Sequence, residues 1–370
     1  MPEFSSPYFP LLPRRTDLVA EAERLVQGQI EDITLFKFAS CNPVFRVEFV
    51  SNDGARQRIV LRGEQQNGLL IIPEQTCRLE KEIFTLRQIR SLGLKAPEVL
   101  FDGRILVVPA LDRGRGTETE LRFFAMSYVE GAAIDNKVKA SLPDEQVSYL
   151  DRIAEIYARL HSLKGDEYGF TDATGMVVDG SREIEGYLRA AFSRKRDLLA
   201  EFVDSEVAGL VDAFAQRSLS GLCADLRDDG YDPGPRFVLY DSSHGNMLAS
   251  DAGISVIDVT MAGYLDAVTG FCSFVFSFRD FLLKTYGDGR FWDHFVARYR
   301  HHGGQAPSAG LLWRLLHVLL TDLVLHSVIY CATHHGPDKR RKMPDYLRVA
   351  HNLISLADPD MEKVIAALDA

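Results

Sequence analysis

The chain lacks the marks of several large protein classes. Its five cysteines, Cys41, Cys77, Cys223, Cys272 and Cys331, are odd in number, scattered and without a CxxC pair. Neither a zinc site nor a disulfide framework is expected, and reduced thiols in the cytoplasm fit them. No GxGxxG and no GxxxxGK[ST] occurs, which removes a Rossmann dinucleotide loop and a P-loop. No GxSxG occurs either, and Ser242, Ser243 and His244 stand too close together for a hydrolase triad. Positive charge is in deficit: 42 Lys and Arg against 52 Asp and Glu leave a net charge of −10, which argues against a nucleic-acid surface. Long apolar runs are broken; the stretch 310–332 carries Arg314, His317, Asp322 and His326, so a buried helix is expected there rather than a membrane span. Residues 1–15 contain prolines and no continuous apolar core and do not read as a signal peptide. A cytoplasmic protein without nucleic-acid or membrane partners is expected. No internal repeat or low-complexity tract is visible.

What is present is enough apolar material for a sizeable core: 46% of 370 residues, which suggests two lobes. Residues 16–30 have amphipathic helical character, and alternating strands follow. The turn at 51–54 (SNDG) makes a hairpin, and a helix over 75–93 is closed by Gly93. A second hairpin is expected around Asp102-Gly103, then a polar loop at 112–120 and a last strand ending in MSYV. Beyond residue 130 the pattern turns mostly helical. Val147, Leu150, Ile153, Tyr157 and Leu160 form a stripe on a helix from about 144 to 163, two helices occupy 181–222, and an acidic loop covers 223–235. The expected architecture is α+β: a small N-terminal antiparallel sheet with one helix, residues 1–129, and a larger helical lobe, 130–370.

Asp241, Asn246 and Asp258 carry the most information. Two short apolar runs, Phe237–Tyr240 and Ile254–Ile257, each deliver a carboxylate, and the loop between them carries an amide five positions after the first acid. Strand, Asp, loop, Asn, strand, Asp suits phosphoryl transfer from a nucleotide. One carboxylate takes the proton of an acceptor hydroxyl, while a carboxamide and a second carboxylate hold magnesium on the phosphates. Asp and Asn are also ordinary turn residues, and SDAG at 250–253 is an ordinary hairpin turn. The acids, however, abut apolar runs, where an unpaired carboxylate is costly.

On the nucleotide side, Arg62 ends the strand RIVLR and would point into the cleft between the lobes. Glu82 lies at the edge of the packed stripe Leu79, Ile83, Leu86, half-buried, with Arg62 as the nearest cation; a solvated salt bridge is the competing reading. Ser40, Cys41 and Asn42 could offer N–H groups and a side-chain amide to phosphate, though Asn42 alone reads better as a plain turn residue. The crossing Met126–Val129, Ser127 and Val129 included, would offer main-chain hydrogen bonds to an adenine or guanine edge. The pairs His301-His302 and His334-His335 point apart on a helix and do not suggest a metal site, and His161 reads as a satisfied core histidine.

Taken together, the chain resembles the aminoglycoside phosphotransferase and choline kinase-like family over about residues 20–275. YDSSHGN resembles that family's catalytic loop, H-G-D-x-x-x-x-N, and VIDVTMAG its metal-binding I-D-x-x-x-A-G. MSYVEG resembles the hinge, ARLHS a helix end common in the family, and IVLR with LEKEIFTLRQI a branch in which Arg replaces the usual phosphate-binding Lys. The resemblance implies a protein-kinase-like two-lobed fold. It implies a magnesium-dependent kinase that moves the γ-phosphate of ATP or GTP to a hydroxyl of an aminoglycoside-like or other polar natural product or metabolite, in resistance, biosynthesis or metabolism. By the same carry-over Asp241 is the base, Asn246 and Asp258 are metal ligands, Arg62 contacts phosphates and Glu82 partners it. Two departures stand out. Leu239-Tyr240 replaces the His-Gly before the catalytic Asp, so a structural hydrogen bond of the loop is missing or remade, and Ser243-His244 stands where His-Pro is common. The first departure motivates an alternative, a catalytically silent nucleotide-binding protein that keeps the fold. A kinase acting on proteins is disfavoured, because no A-P-E-like end follows Asp258.

Overall fold

Apolar alternation and hairpin turns at short offsets shape the first third of the chain, and amphipathic helices the rest. A computed structural model describes residues 11–36, 42–64, 79–112, 118–141, 143–203, 205–241, 244–284, 290–333 and 337–369. Ser40, Cys41, Cys77, the expected helix start at 75–78, the centre of the polar loop after 112, Ser242, Ser243 and His334-His335 lie outside them. The backbone divides into two compact units, Met1–Glu130 with Asp172–Gly175, and Gly131–Thr171 with Met176–Ala370.

The first unit contains β1 (Leu11–Pro13), α1 (Arg15–Val26), β2 (Gly28–Leu35), β3 (Val44–Ser51), β4 (Arg56–Gly63), α2 (Leu79–Ser91), β5 (Leu106–Asp112) and β6 (Glu118–Ser127). The strands form one antiparallel sheet in the order β1-β5-β6-β4-β3-β2, with β4 deep inside it. Leu18, Ala22 and Leu25 of α1 pack with Phe45, Val47 and Phe123 of the sheet. The helix ends at Val26, four residues before the expected end, with Gln27 as its left-handed cap. Gly28 already pairs with Ser51, and a Cβ there would lie 2.5 Å from the Val50 carbonyl oxygen. Helix α2 ends as expected: Gly93 takes φ +73° and Leu94 N–H bonds back to Ile89 O, 3.3 Å.

The Asp102-Gly103 hairpin does not form. Phe101, Asp102 and Gly103 all take positive φ (52°, 53° and 75°), and the chain kinks without reversing. Val99 bridges Met126 and Leu100 N–H donates to Ala125 O before the kink. Leu106 pairs with Phe123 after it, so both arms follow β6.

The second unit contains β7 (Ala132–Ala133), α3 (Ile134–Ala140), α4 (Pro143–Leu160), β8 (Gly169–Phe170), α5 (Ile184–Phe202), α6 (Ser205–Asp228), β9 (Arg236–Leu239), β10 (Met247–Ser250), β11 (Gly253–Val256) and β12 (Ala262–Leu265). The helices α7 (Ala267–Lys284), α8 (Arg290–His301), α9 (Ala309–Thr333), α10 (Pro337–Ser355) and α11 (Met361–Asp369) complete it. Two three-stranded sheets, β11-β10-β7 and β8-β12-β9, sit among these helices. On α4 the expected stripe is buried except for Val147, which is 41% exposed. The acidic segment expected as a loop from 223 is helical through Asp228, because Cys223 and Leu226 continue the buried face of α6. Helix α9 is the one described helix long and apolar enough to cross a membrane, and most of it is buried, His317, Asp322 and His326 included. His161 is a satisfied core histidine: Nδ1 meets Tyr299 Oη at 2.9 Å, and burial pulls its pKa down to about 3.

Asp266 caps α7, accepting from Val268 N–H at 2.9 Å and from the Tyr231 hydroxyl at 3.1 Å to each carboxylate oxygen. Complete burial pushes its carboxyl up to about 7 against those donors. A carboxyl raised on folding keeps a proton that the unfolded chain releases from about pH 4 upward. The stability it contributes is therefore complete below that pH and lost as pH rises through about 7. Urea midpoints followed from pH 4.5 to 8 should fall with pH in the native protein and fall measurably less in Asp266→Asn; parallel curves would refute the assignment.

Candidate active site

In the second unit, β9 carries the chain out of the core through Tyr240 to Asp241, which is exposed. A single 3-10 turn, His244–Asn246, returns it to β10, and the β10–β11 hairpin leads to Asp258 two residues past β11. Three hydrogen bonds lace these segments. Asn246 Nδ2 donates to Asp241 O at 2.8 Å, Ile257 N–H to Asn246 O at 2.8 Å, and Tyr240 N–H to Met261 O at 2.8 Å. The Asn246 amide nitrogen is thus occupied by the loop's own backbone, which sets the orientation of the carboxamide and leaves its oxygen, a hard ligand of the kind magnesium takes, on the opposite side. Asp258 is half-buried, takes φ +52° and accepts from Thr260 Oγ1 at 3.3 Å. A non-glycine residue in that conformation aims its side chain away from the path a strand would give it.

The donor set suits magnesium. Among the described residues no group of three or more His, Cys, Asp or Glu is placed to hold a metal ion by itself. One carboxylate and one carboxamide, completed by phosphate oxygens and water, is the arrangement magnesium accepts.

In the first unit, Arg62 in β4 and Glu82 in α2 come together: Arg62 Nε donates to Glu82 Oε2 at 3.1 Å, with side chains 8% and 3% exposed. Glu82 is buried outright rather than half-buried, so the pair is not a solvated surface bridge; the half-buried position on α2 belongs to Glu80, which pairs with Arg122. Asn42 is also buried, and its Nδ2 donates to Gly63 O at 3.0 Å. With Gly63 N–H bonded to Pro43 O at 2.8 Å, it fastens the end of the β3–β4 pair beside Arg62. Ser127 is tied to Glu98 in both directions, N–H to Glu98 O and Oγ from Glu98 N–H, each 2.8 Å. Arg58 lies over the Tyr128 ring at 4.8 Å and pairs with Glu130. Among the described residues nothing hydrogen-bonds to the Val129 main chain.

Comparison with known proteins shows the family and the fold. The family described as "Phosphotransferase enzyme family" matches residues 49–313. The chain belongs to that family. It is a phosphotransferase acting on hydroxyl acceptors. Solved structures share its fold at low identity. The APH(2")-IIa complex with gentamicin superposes with a TM-score of 0.58 at 15% identity, covering 91% of this chain and 96% of the other. A thermostable mutant of aminoglycoside phosphotransferase APH(4)-Ia, in ternary complex with ADP and hygromycin B, gives 0.59 at 14%, covering 91% and 98%. A choline/ethanolamine kinase family protein from Mesorhizobium loti gives 0.54 at 16%, covering 94% and 97%. The fold is therefore kinase-like. A sequence comparison with curated proteins gave no match.

Sequence reasoning missed what this phosphotransferase builds beneath its loop. Tyr240 Oη donates to Asp322 Oδ2 at 2.9 Å, and Lys195 pairs with Asp322 Oδ1, all three side chains lying in the core. A signal was present: Lys195 falls on the apolar stripe Leu188, Ala191, Phe192, Leu199 of α5, where a lone charge requires a partner.

Two outcomes follow from this geometry. Glu82→Ala leaves Arg62 buried without its carboxylate and should cost about 3–5 kcal/mol of stability, whereas Arg62→Met with Glu82→Leu should recover most of it; equal losses in urea melts would count against a desolvated pair. Asp258→Gly relieves the left-handed backbone, so stability should hold or rise by up to ~1 kcal/mol while phosphate transfer is lost. A large loss of stability in that variant would show that the conformation carries no strain.

Proposed function

We propose that the protein is a small-molecule kinase in which Asp241 is the base, Asn246 and Asp258 hold magnesium, and Arg62 steadies the donor phosphates. The observation that carries the reading is the Asn246 amide bonded to the Asp241 carbonyl, with Ile257 N–H bonded to Asn246 O. One short loop thereby sets the base, the amide ligand and the strand that leads to Asp258. In the reaction the Asp241 carboxylate accepts the proton of an acceptor hydroxyl, the hydroxyl oxygen bonds to the γ-phosphorus, and the bond to the β–γ bridging oxygen breaks to release the nucleoside diphosphate. Magnesium, when bound, neutralises the phosphate oxygens. Glu82 holds the Arg62 guanidinium in place, Asn42 fixes the strand end beside it, and Val129, following the Ser127–Glu98 clamp, offers main-chain groups to the nucleobase of ATP or GTP. The expected acceptor is an aminoglycoside-like or other polar hydroxylated compound, of the kind named for the two APH complexes. The first unit serves as the nucleotide-binding lobe and the second as the catalytic and acceptor lobe.

The test is direct. The pure protein, magnesium and either ATP or GTP are incubated with aminoglycosides, nucleoside antibiotics, macrolides and choline-like amines, and products gaining one phosphoryl group are sought by mass. Asp241→Asn should lower transfer by about 10²–10⁴-fold while nucleotide binding persists; full activity in that variant would refute the base. A protein that nucleotide stabilises but that yields no product with any acceptor would support the silent alternative.

A further inference from the structure

Tyr240, the residue just before Asp241, engages its neighbours at three points, each from a different element. Its N–H donates to Met261 O at 2.8 Å, at the entry to β12. Its carbonyl accepts from Ser273 Oγ of α7 at 2.9 Å. Its hydroxyl reaches Asp322 of α9 at 2.9 Å. The ring is clasped edge-to-face by Phe170 (5.5 Å) and His326 (5.6 Å) and is 4% exposed. Three attachments that are not collinear fix both the position and the rotation of a residue. The next Cα, that of Asp241, therefore leaves the core from a set point and in a set direction. The Leu239 side chain is buried and has no polar atom, so it adds no hydrogen bond to this anchorage.

The carboxylate that receives the hydroxyl is itself held. Lys195 of α5 occupies Asp322 Oδ1 and Tyr240 occupies Oδ2, with Lys195 3% and Asp322 7% exposed at their side chains. The ammonium sits directly against the carboxylate in an apolar surround, and an ion-paired acceptor holds a hydroxyl more firmly than a neutral one. An apolar pair of the same volume would serve packing as well as this ion pair does. What such a pair cannot do is orient a tyrosine.

We propose that the buried Tyr240–Asp322–Lys195 chain is the positioning device for the catalytic loop, linking α5 and α9 to the placement of Asp241. The proposal rests on Asp241 being the base, and its test separates the two. Amide exchange of the segment 241–247 is measured by mass spectrometry in the full chain, alongside kcat and KM for Mg-ATP turnover read as ADP release. Tyr240→Phe keeps the ring and removes the hydroxyl. It should speed exchange of that segment by about tenfold, leave exchange in α4 and α10 unchanged, and lower kcat by about tenfold at constant KM. Lys195→Met with Asp322→Leu keeps core volume without a stranded charge and should give the same pattern, while the triple variant should add nothing further.

Unchanged exchange and kcat in Tyr240→Phe, or independent additive losses in the triple variant, would overturn the proposal. Faster exchange spread over the whole unit would overturn it too, since that marks a plain loss of stability. Asp241→Asn, with native exchange but lost transfer, reports on the base alone. If that variant keeps full activity, the base reading fails whatever the exchange data show.

Discussion

The candidate site hangs on a backbone constraint: the loop after β9 closes on the strand that leads to Asp258. The closure uses two short bonds, Asn246 Nδ2 to Asp241 O and Ile257 N–H to Asn246 O. With the Asn246 amide on the Asp241 carbonyl and Ile257 N–H on Asn246 O, these groups are held in advance of ligand, which lowers the entropy that binding would otherwise have to overcome. The left-handed Asp258 is tolerated because the same lacing over-determines the backbone around it.

A second theme is that charges go inside only in company. Arg62 with Glu82 and Lys195 with Asp322 are desolvated ion pairs, the first joining the consecutive elements β4 and α2, the second joining α5 to α9, remote in sequence. Desolvation makes neither a cheap source of stability. Their value is directional, because a paired guanidinium or carboxylate has one preferred pose. Asp266 shows the other solution. Without a cation in direct contact it is served by Tyr231 and the first turn of α7, and its carboxyl rises toward neutrality.

Much of this was legible in the sequence, and the exceptions have physical causes. The strand-loop-strand placement of Asp241, Asn246 and Asp258, the helix closed at Gly93 and the partnership of Arg62 with Glu82 could be read because each depends on local periodicity or on a charge that must be answered. The Asp102-Gly103 turn could not be read correctly. Local composition marks a kink there, but only pairing to β6, twenty residues on, decides whether the chain reverses. Gln27 ends α1 early because a strand partner claims Gly28, again a non-local decision. The Asn42 amide closes on Gly63 O, a residue twenty-one positions away, a partner that no local pattern names. Whether Leu239-Tyr240 left a hydrogen bond missing or remade could not be read, because the Tyr240 hydroxyl finds its partner in Asp322, eighty-two positions on.

The tetrad Asp172–Gly175 belongs to the first unit although the chain around it belongs to the second. It is a tight Asx turn, Thr174 N–H to Asp172 Oδ1 at 2.7 Å, ending in Gly175 at φ +83°. A Cβ on that glycine would sit 2.2 Å from Phe84 Cζ of α2. The smaller lobe is thus finished by four residues that ribosomal synthesis delivers some forty positions after its own last strand. Until they arrive, the nascent lobe lacks the backbone that packs on the Phe84 ring, and a gene fragment ending at Glu130 would encode a lobe without that contact.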